Sequence, residues 1–175
     1  EIEMDIPWTI ATAVISAASA LLGVHLSNRA QEQRLKIQFE NEALAKSIEL
    51  KKSKLEEMFI LFQKWEMDIS CLYLRLIPAF KGEYSAIEAR NTSSENALQE
   101  KGDYQRFQAI LNLYFPEHND AFQQVMTRRA QVLKFCNGAV DARPENLPQF
   151  YEAQEAFESE AASFRGILAH TINEL

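Results

Sequence analysis

Glycine and proline are scarce, five of each in 175 residues, and that scarcity excludes the turn-rich chains of β-sandwiches and barrels. Their place is taken by Leu, Ala, Glu, Gln and Lys, all good helix formers, and no run alternates apolar and polar residues as a half-buried strand would. The expected fold class is all-α. Cysteines number two, Cys71 and Cys136, too few for a disulfide framework and not at metal-ligand spacing. Each reads as a small hydrophobe in a helix, Cys71 among apolar neighbours. Basic charge is also short: 18 Lys and Arg against 25 Asp and Glu leave a net charge of -7. Without a basic cluster there is nothing to release counterions from a phosphate backbone, so no nucleic-acid partner is expected.

Catalytic signatures are missing as well. There is no Gly-rich phosphate loop, no Cys-x-x-Cys, no His-Glu-x-x-His and no nucleophile elbow. None of the three histidines, His25, His118 and His170, has the Glu three residues before it that a di-iron bundle requires. Metal ions, cofactors and small-molecule substrates are therefore not expected, and an enzyme is the least favoured reading.

What the chain does have is one long helical pattern over residues 26–77. From Ile37, alternating steps of four and three meet Asn41, Leu44, Ile48, Lys51, Leu55, Met58, Phe62, Trp65, Ile69, Leu72 and Leu76. Such a heptad seam puts these side chains on one stripe that must pack against other helices. At ~1.5 Å per residue the helix would span roughly 75 Å, so part of it is expected to stand out as a stalk. Residues 27–54 are that stalk, strongly charged, with Glu32 before Lys36 and Glu42 before Lys46 in the favourable i,i+4 order. Asn41 and Lys51 fall on the seam, where a polar residue fixes register or oligomer number at some cost in stability; the alternative, favoured for Lys51, is that these places are not buried and the lysine stem snorkels. From Leu55 the stripe widens to take in Phe59, Leu61, Tyr73 and Leu74. Pro78 should stop the helix.

Upstream, residues 6–26 carry no Asp, Glu, Lys or Arg, and that length matches a bilayer core of about 30 Å. A transmembrane helix is the first expectation, with a buried helix or a cleaved signal as rivals. The signal is diluted by Thr9, Thr12, Ser16, Ser19 and many alanines. An acidic tail over residues 1–5 precedes it, and Arg29, Arg34, Lys36 and Lys46 follow it. The positive-inside bias then leaves the N-terminus outside and the remainder in the cytoplasm, as in a bacterial inner membrane. Ser16, Ala20 and Gly23 lie in the same heptad register as Ile37, and small residues allow close helix approach in lipid.

Downstream, residues 55–175 should form an antiparallel four-helix bundle. Residues 81–96 read as a connection with one helical turn. A second helix over about 94–115 would bury Tyr104, Phe107, Ile110, Leu111 and Tyr114, and a third, capped by Asn119 or Asp120 and reaching Cys136, would bury Phe122, Val125, Met126, Val132 and Leu133. Asn137-Gly138 should end it. A last helix, with Asn146 as cap, has the seam Phe150, Gln154, Phe157, Ala161, Phe164, Leu168, Thr171 and Leu175. The aromatic run Tyr114-Phe115-Pro116 is a candidate docking turn, with packing beneath a tight turn as the commoner alternative. Together these features point to a membrane-anchored interaction or assembly protein whose partners are the bilayer and a second copy or another helical protein. The alternative is a sensor or effector of a membrane-associated stress or defence response.

Overall fold

The computed structural model describes residues 8–136 and 142–175, apart from the side chains of Thr9 and Ala11. The acidic tail and the expected helix stop at Asn137-Gly138 lie outside the described residues. Within them the chain is all-helical, with no strand. The α-helices are α1 (Trp8–Phe80), α2 (Ala86–Glu95), α3 (Asp103–Tyr114), α4 (Asn119–Cys136) and α5 (Leu147–Glu174), and 3-10 turns at Pro116–His118 and Pro144–Asn146 lead into α4 and α5. The chain divides into two compact units, Glu1–Ile48 and Glu49–Leu175.

The second unit is a helical bundle with one apolar core. The seam residues Leu55, Met58, Phe62, Trp65, Ile69 and Leu76 are buried, as are Phe150, Phe157, Ala161, Phe164 and Leu168 of α5. Ring contacts fix the helix directions. Phe62 meets Phe164, Trp65 meets Phe157 and Phe80 meets Phe150, so α5 runs antiparallel to α1. Phe62 meets Phe122 while Phe80 meets Phe135, so α4 runs parallel to it. Trp65 against Tyr104 and Phe62 against Phe107 set α3 antiparallel. The result is up-down-up-down, with α2 inserted after the first helix and contributing Ala89 to the core.

Three boundaries differ from expectation. Pro78 does not stop α1, which ends at Phe80. Near a helix end the proline forfeits one hydrogen bond, and termination falls instead to Gly82 at φ +78°. Glu83 N–H donates to the Pro78 carbonyl (3.1 Å) and Gly82 N–H to that of Ala79 (3.1 Å), the paired bonds of a Schellman motif. Within the expected connection, α2 forms because Ser85 and Glu88 make a capping box: Glu88 N–H donates to Ser85 Oγ (3.2 Å) and Ser85 N–H to the Glu88 carboxylate (2.7 Å). The helix expected from about 94 begins at Asp103, because Gly102 is left-handed at φ +101°.

A transmembrane helix over 6–26 is not supported. Among the described residues no helix is long and apolar enough to cross a membrane. Thr12, Ser16, Ser19, Gly23 and His25 dilute the Leu, Ile and Val of this stretch. Ile6, Pro7 and the side chains of Thr9 and Ala11, which the expected span includes, lie outside the described residues.

Candidate assembly surface

The residues singled out for helix pairing lie on α1 within the first unit. Ser16, Ala20, Gly23, Ile37, Asn41 and Leu44 are exposed, Ile48 is half-buried, and Leu55 of the second unit is buried. The exposure is heavy where side chains are large: Ile37 keeps 57% of its surface and Leu44 61%. A Cβ added at Gly23 would meet no atom within 4 Å. The helix is continuous because no proline or glycine cluster interrupts it, and Gln38 bridges to Glu42 (2.8 Å) one turn on. Arg34, Ile37, Gln38, Asn41, Glu42 and Ala45 line a shallow depression on this surface. Of these, Arg34, Ile37, Gln38 and Asn41 are spaced i, i+3, i+4 and i+7, the outline of a hole that receives a side chain from a facing helix.

The bundle does not repeat this exposure. Of the candidate docking turn, Phe115 is buried in the core and stacks parallel to His118, with centroids 6.2 Å apart; Tyr114 is half-buried and Pro116 exposed. Phe115 is thus not presented to a partner, and its neighbour Leu113 is the exposed residue here. Leu74, expected inward, points to solvent at 60% exposure, because Tyr73 takes the inward position beside it. Cys71 is exposed and Cys136 buried, and both are free thiols. Burial pushes the Cys136 thiol up to about 11, which leaves it protonated and unreactive at neutral pH.

Titratable groups in the bundle hold helices together. Glu57 accepts from Lys54 (2.9 Å) and pairs with Arg106 across to α3, and the Lys54 hydrogen bond holds its carboxyl below the usual range. Lys64 pairs with Asp103 (3.2 Å) and Arg165 with Glu66 (3.1 Å). Burial raises the Glu66 carboxyl despite that arginine. Asp68 accepts the backbone N–H groups of Leu98 (2.7 Å) and Gln99 (3.0 Å), pinning the α2–α3 connection to α1. The cation of Arg129 lies 5.5 Å from the Trp65 ring centroid.

One pair has the outline of a nucleophile and a base. Thr171 Oγ1 lies 2.9 Å from His118 Nε2. The same hydroxyl donates to the Ile167 carbonyl (2.9 Å), so its proton is already committed. The network then assigns the proton on Nε2 to the imidazole, which donates to the hydroxyl oxygen. A base in that tautomer cannot deprotonate Thr171, and the contact ties α5 to the turn before α4. Among the described residues no three His, Cys, Asp or Glu side chains gather where they could hold a metal ion. Tyr73 is buried, as its place on the widened stripe requires, but nothing in the sequence signals that its fully buried hydroxyl has no partner. Only the three-dimensional crowding of Phe150 and Phe157 around that ring reveals it.

No protein-family model, no curated protein and no solved structure matches this chain.

Proposed function

We propose that this chain is a helical assembly protein, anchored at a lipid bilayer through the N-terminal part of α1 and presenting its bundle on the cytoplasmic side. The observation that carries the reading is the exposed apolar surface of the first unit. Trp8, Ile10, Val14, Ile15, Leu21 and Leu22 each keep more than half of their surface. In water such a surface demands cover: burial is worth about 25 cal/mol per Å² of apolar area. A bilayer and a facing helix are the two surroundings that supply it without strain. A stretch this rich in Ser, Thr and Ala enters lipid poorly alone and better as one of a pair, since small residues let two backbones approach and hydroxyls bond across the contact. Anchoring and assembly are thus two parts of one function. The basic residues Arg29, Arg34 and Lys36 that follow orient the anchor.

Flotation of the chain with phospholipid vesicles, followed by alkaline extraction, tests this. The chain is expected to float and to resist extraction, and a Leu21→Asp, Leu22→Asp double variant is expected to remain in the soluble fraction with its bundle folded. A chain that never floats would leave helix pairing in water as the only use for this surface.

A further inference from the structure

We infer that α1 pairs with the α1 of a second copy of this chain, parallel and in register, with Asn41 facing Asn41 across the two-fold axis. This rests on the assembly reading above and specifies its partner. The seam between Ile37 and Ile48 has Asn41 and Ile48 at the a positions and Ile37 and Leu44 at the d positions. Ile48 at a with Leu44 at d is the pairing that favours two strands, and a single Asn at a fixes register and number, because in that register its amide meets the same amide of the facing helix.

The structure supplies the receiving surface. Arg34, Ile37, Gln38 and Asn41, which rim the depression on α1, are successive a, d, e and a positions. In a parallel, in-register pair those four residues form the hole for the d side chain of the facing helix, here Ile37 of the second copy. Ile37 and Leu44 are correspondingly uncovered, while from Leu55 onward the same heptad register is buried apart from the half-buried Leu72. The flanking positions tolerate this partner. Gln33 at g faces Gln38 at e, Glu40 faces Ala45 and Ser47 faces Lys52, so no like charges meet between these flanking positions; on the seam itself Arg34 and Lys51 each face their own copy. Arg34 and Lys51 bound the tight contact, their stems lying along the seam and their charges turning to solvent. The register leads back through Ser27, Gly23, Ala20 and Ser16, so one pairing geometry serves both parts of the first unit.

The test uses the full chain in bacterial membranes, in a Cys71→Ser background that removes the exposed thiol. Ile37→Cys and Leu44→Cys are each expected to form a disulfide-linked dimer on mild oxidation, whereas Leu35→Cys and Glu42→Cys, on the outward b positions, are not. In detergent the unmodified chain is expected to have the mass of two chains, and Asn41→Leu to give a mixture of larger assemblies. Cross-linking without the seam phase, a mass of three chains, or an Asn41→Leu variant that stays at two would overturn the inference. Flotation of the same samples separates the two ideas: membrane-bound chains without seam cross-links refute the pairing alone, and cross-linked chains that do not float refute only the anchor.

Discussion

At the scale of single residues, the core distributes its polar atoms unevenly. The Tyr73 hydroxyl is fully buried with no partner, and desolvation pushes its ionisation well above the ordinary phenol range. A buried hydroxyl left unsatisfied costs about 1–3 kcal/mol. Tyr73→Phe is therefore expected to leave stability unchanged or to raise it, as measured by urea denaturation; a loss above about 1 kcal/mol would mean that the hydroxyl is bonded after all. Glu57 behaves in the opposite way, because Lys54 and Arg106 favour its ionised form. A carboxyl lowered in the folded state contributes stability that is full above the ordinary value of 4.5 and is lost as pH falls through the lowered value. The stability difference between the parent chain and Glu57→Gln should thus be present at pH 7 and vanish in acid. A difference independent of pH would assign Glu57 a packing role instead.

At the scale of elements, the short helix α2 depends on its start. Its ten residues include Asn91, Thr92, Ser93 and Ser94, poor helix formers, and Ala89 is its buried residue. The Ser85 and Glu88 box satisfies two backbone N–H groups that would otherwise be orphaned. Ser85→Ala should cost α2 about 1 kcal/mol. Hydrogen exchange is the measurement, with faster exchange expected over residues 88–96 and unchanged protection in α4 and α5. Gly102 marks a second such point, since its φ of +101° is strained for any side chain. This element scale is also where reading by periodicity alone misplaces boundaries: the aromatic spacing of Tyr104, Phe107 and Ile110 is real, but the backbone turn before it belongs to Gly102.

At the scale of the whole bundle, one side chain joins four helices. Phe62 on α1 lies against Phe107 of α3, Phe122 of α4 and Phe164 of α5, with centroids 4.8–6.4 Å apart. Truncating a buried phenylalanine costs about 3–5 kcal/mol through lost contacts and the cavity left behind. Phe62→Ala should therefore lower the denaturation midpoint of the entire second unit in a single cooperative step, read by Trp65 fluorescence in a Trp8→Phe background. Loss of one helix alone, with the rest unfolding as before, would show that the core is not one cooperative body. The second unit carries its own core, whereas the first leaves its apolar residues uncovered.

The amino-acid order by itself determined the helical class, the two seams and most of the core. Phe150, Phe157, Ala161, Phe164 and Leu168 are buried as their spacing requires, because a period of 3.5 leaves a helix only one face to hide. It also marked Ile37, Asn41 and Leu44 as a continuing seam. Tertiary structure alone decided which seam positions find cover inside this chain and which do not. Periodicity cannot tell Leu44 from Leu55: within the second unit Leu168 and Ile172 of α5 stand beside Leu55, and within the first Leu44 is bare. Likewise the choice of Tyr73 over Leu74 for the interior, the burial of Phe115 beneath its turn and the exposure of Cys71 arise from helix rotation. Rotation is set by how several helices pack together, a property no single stretch of sequence holds.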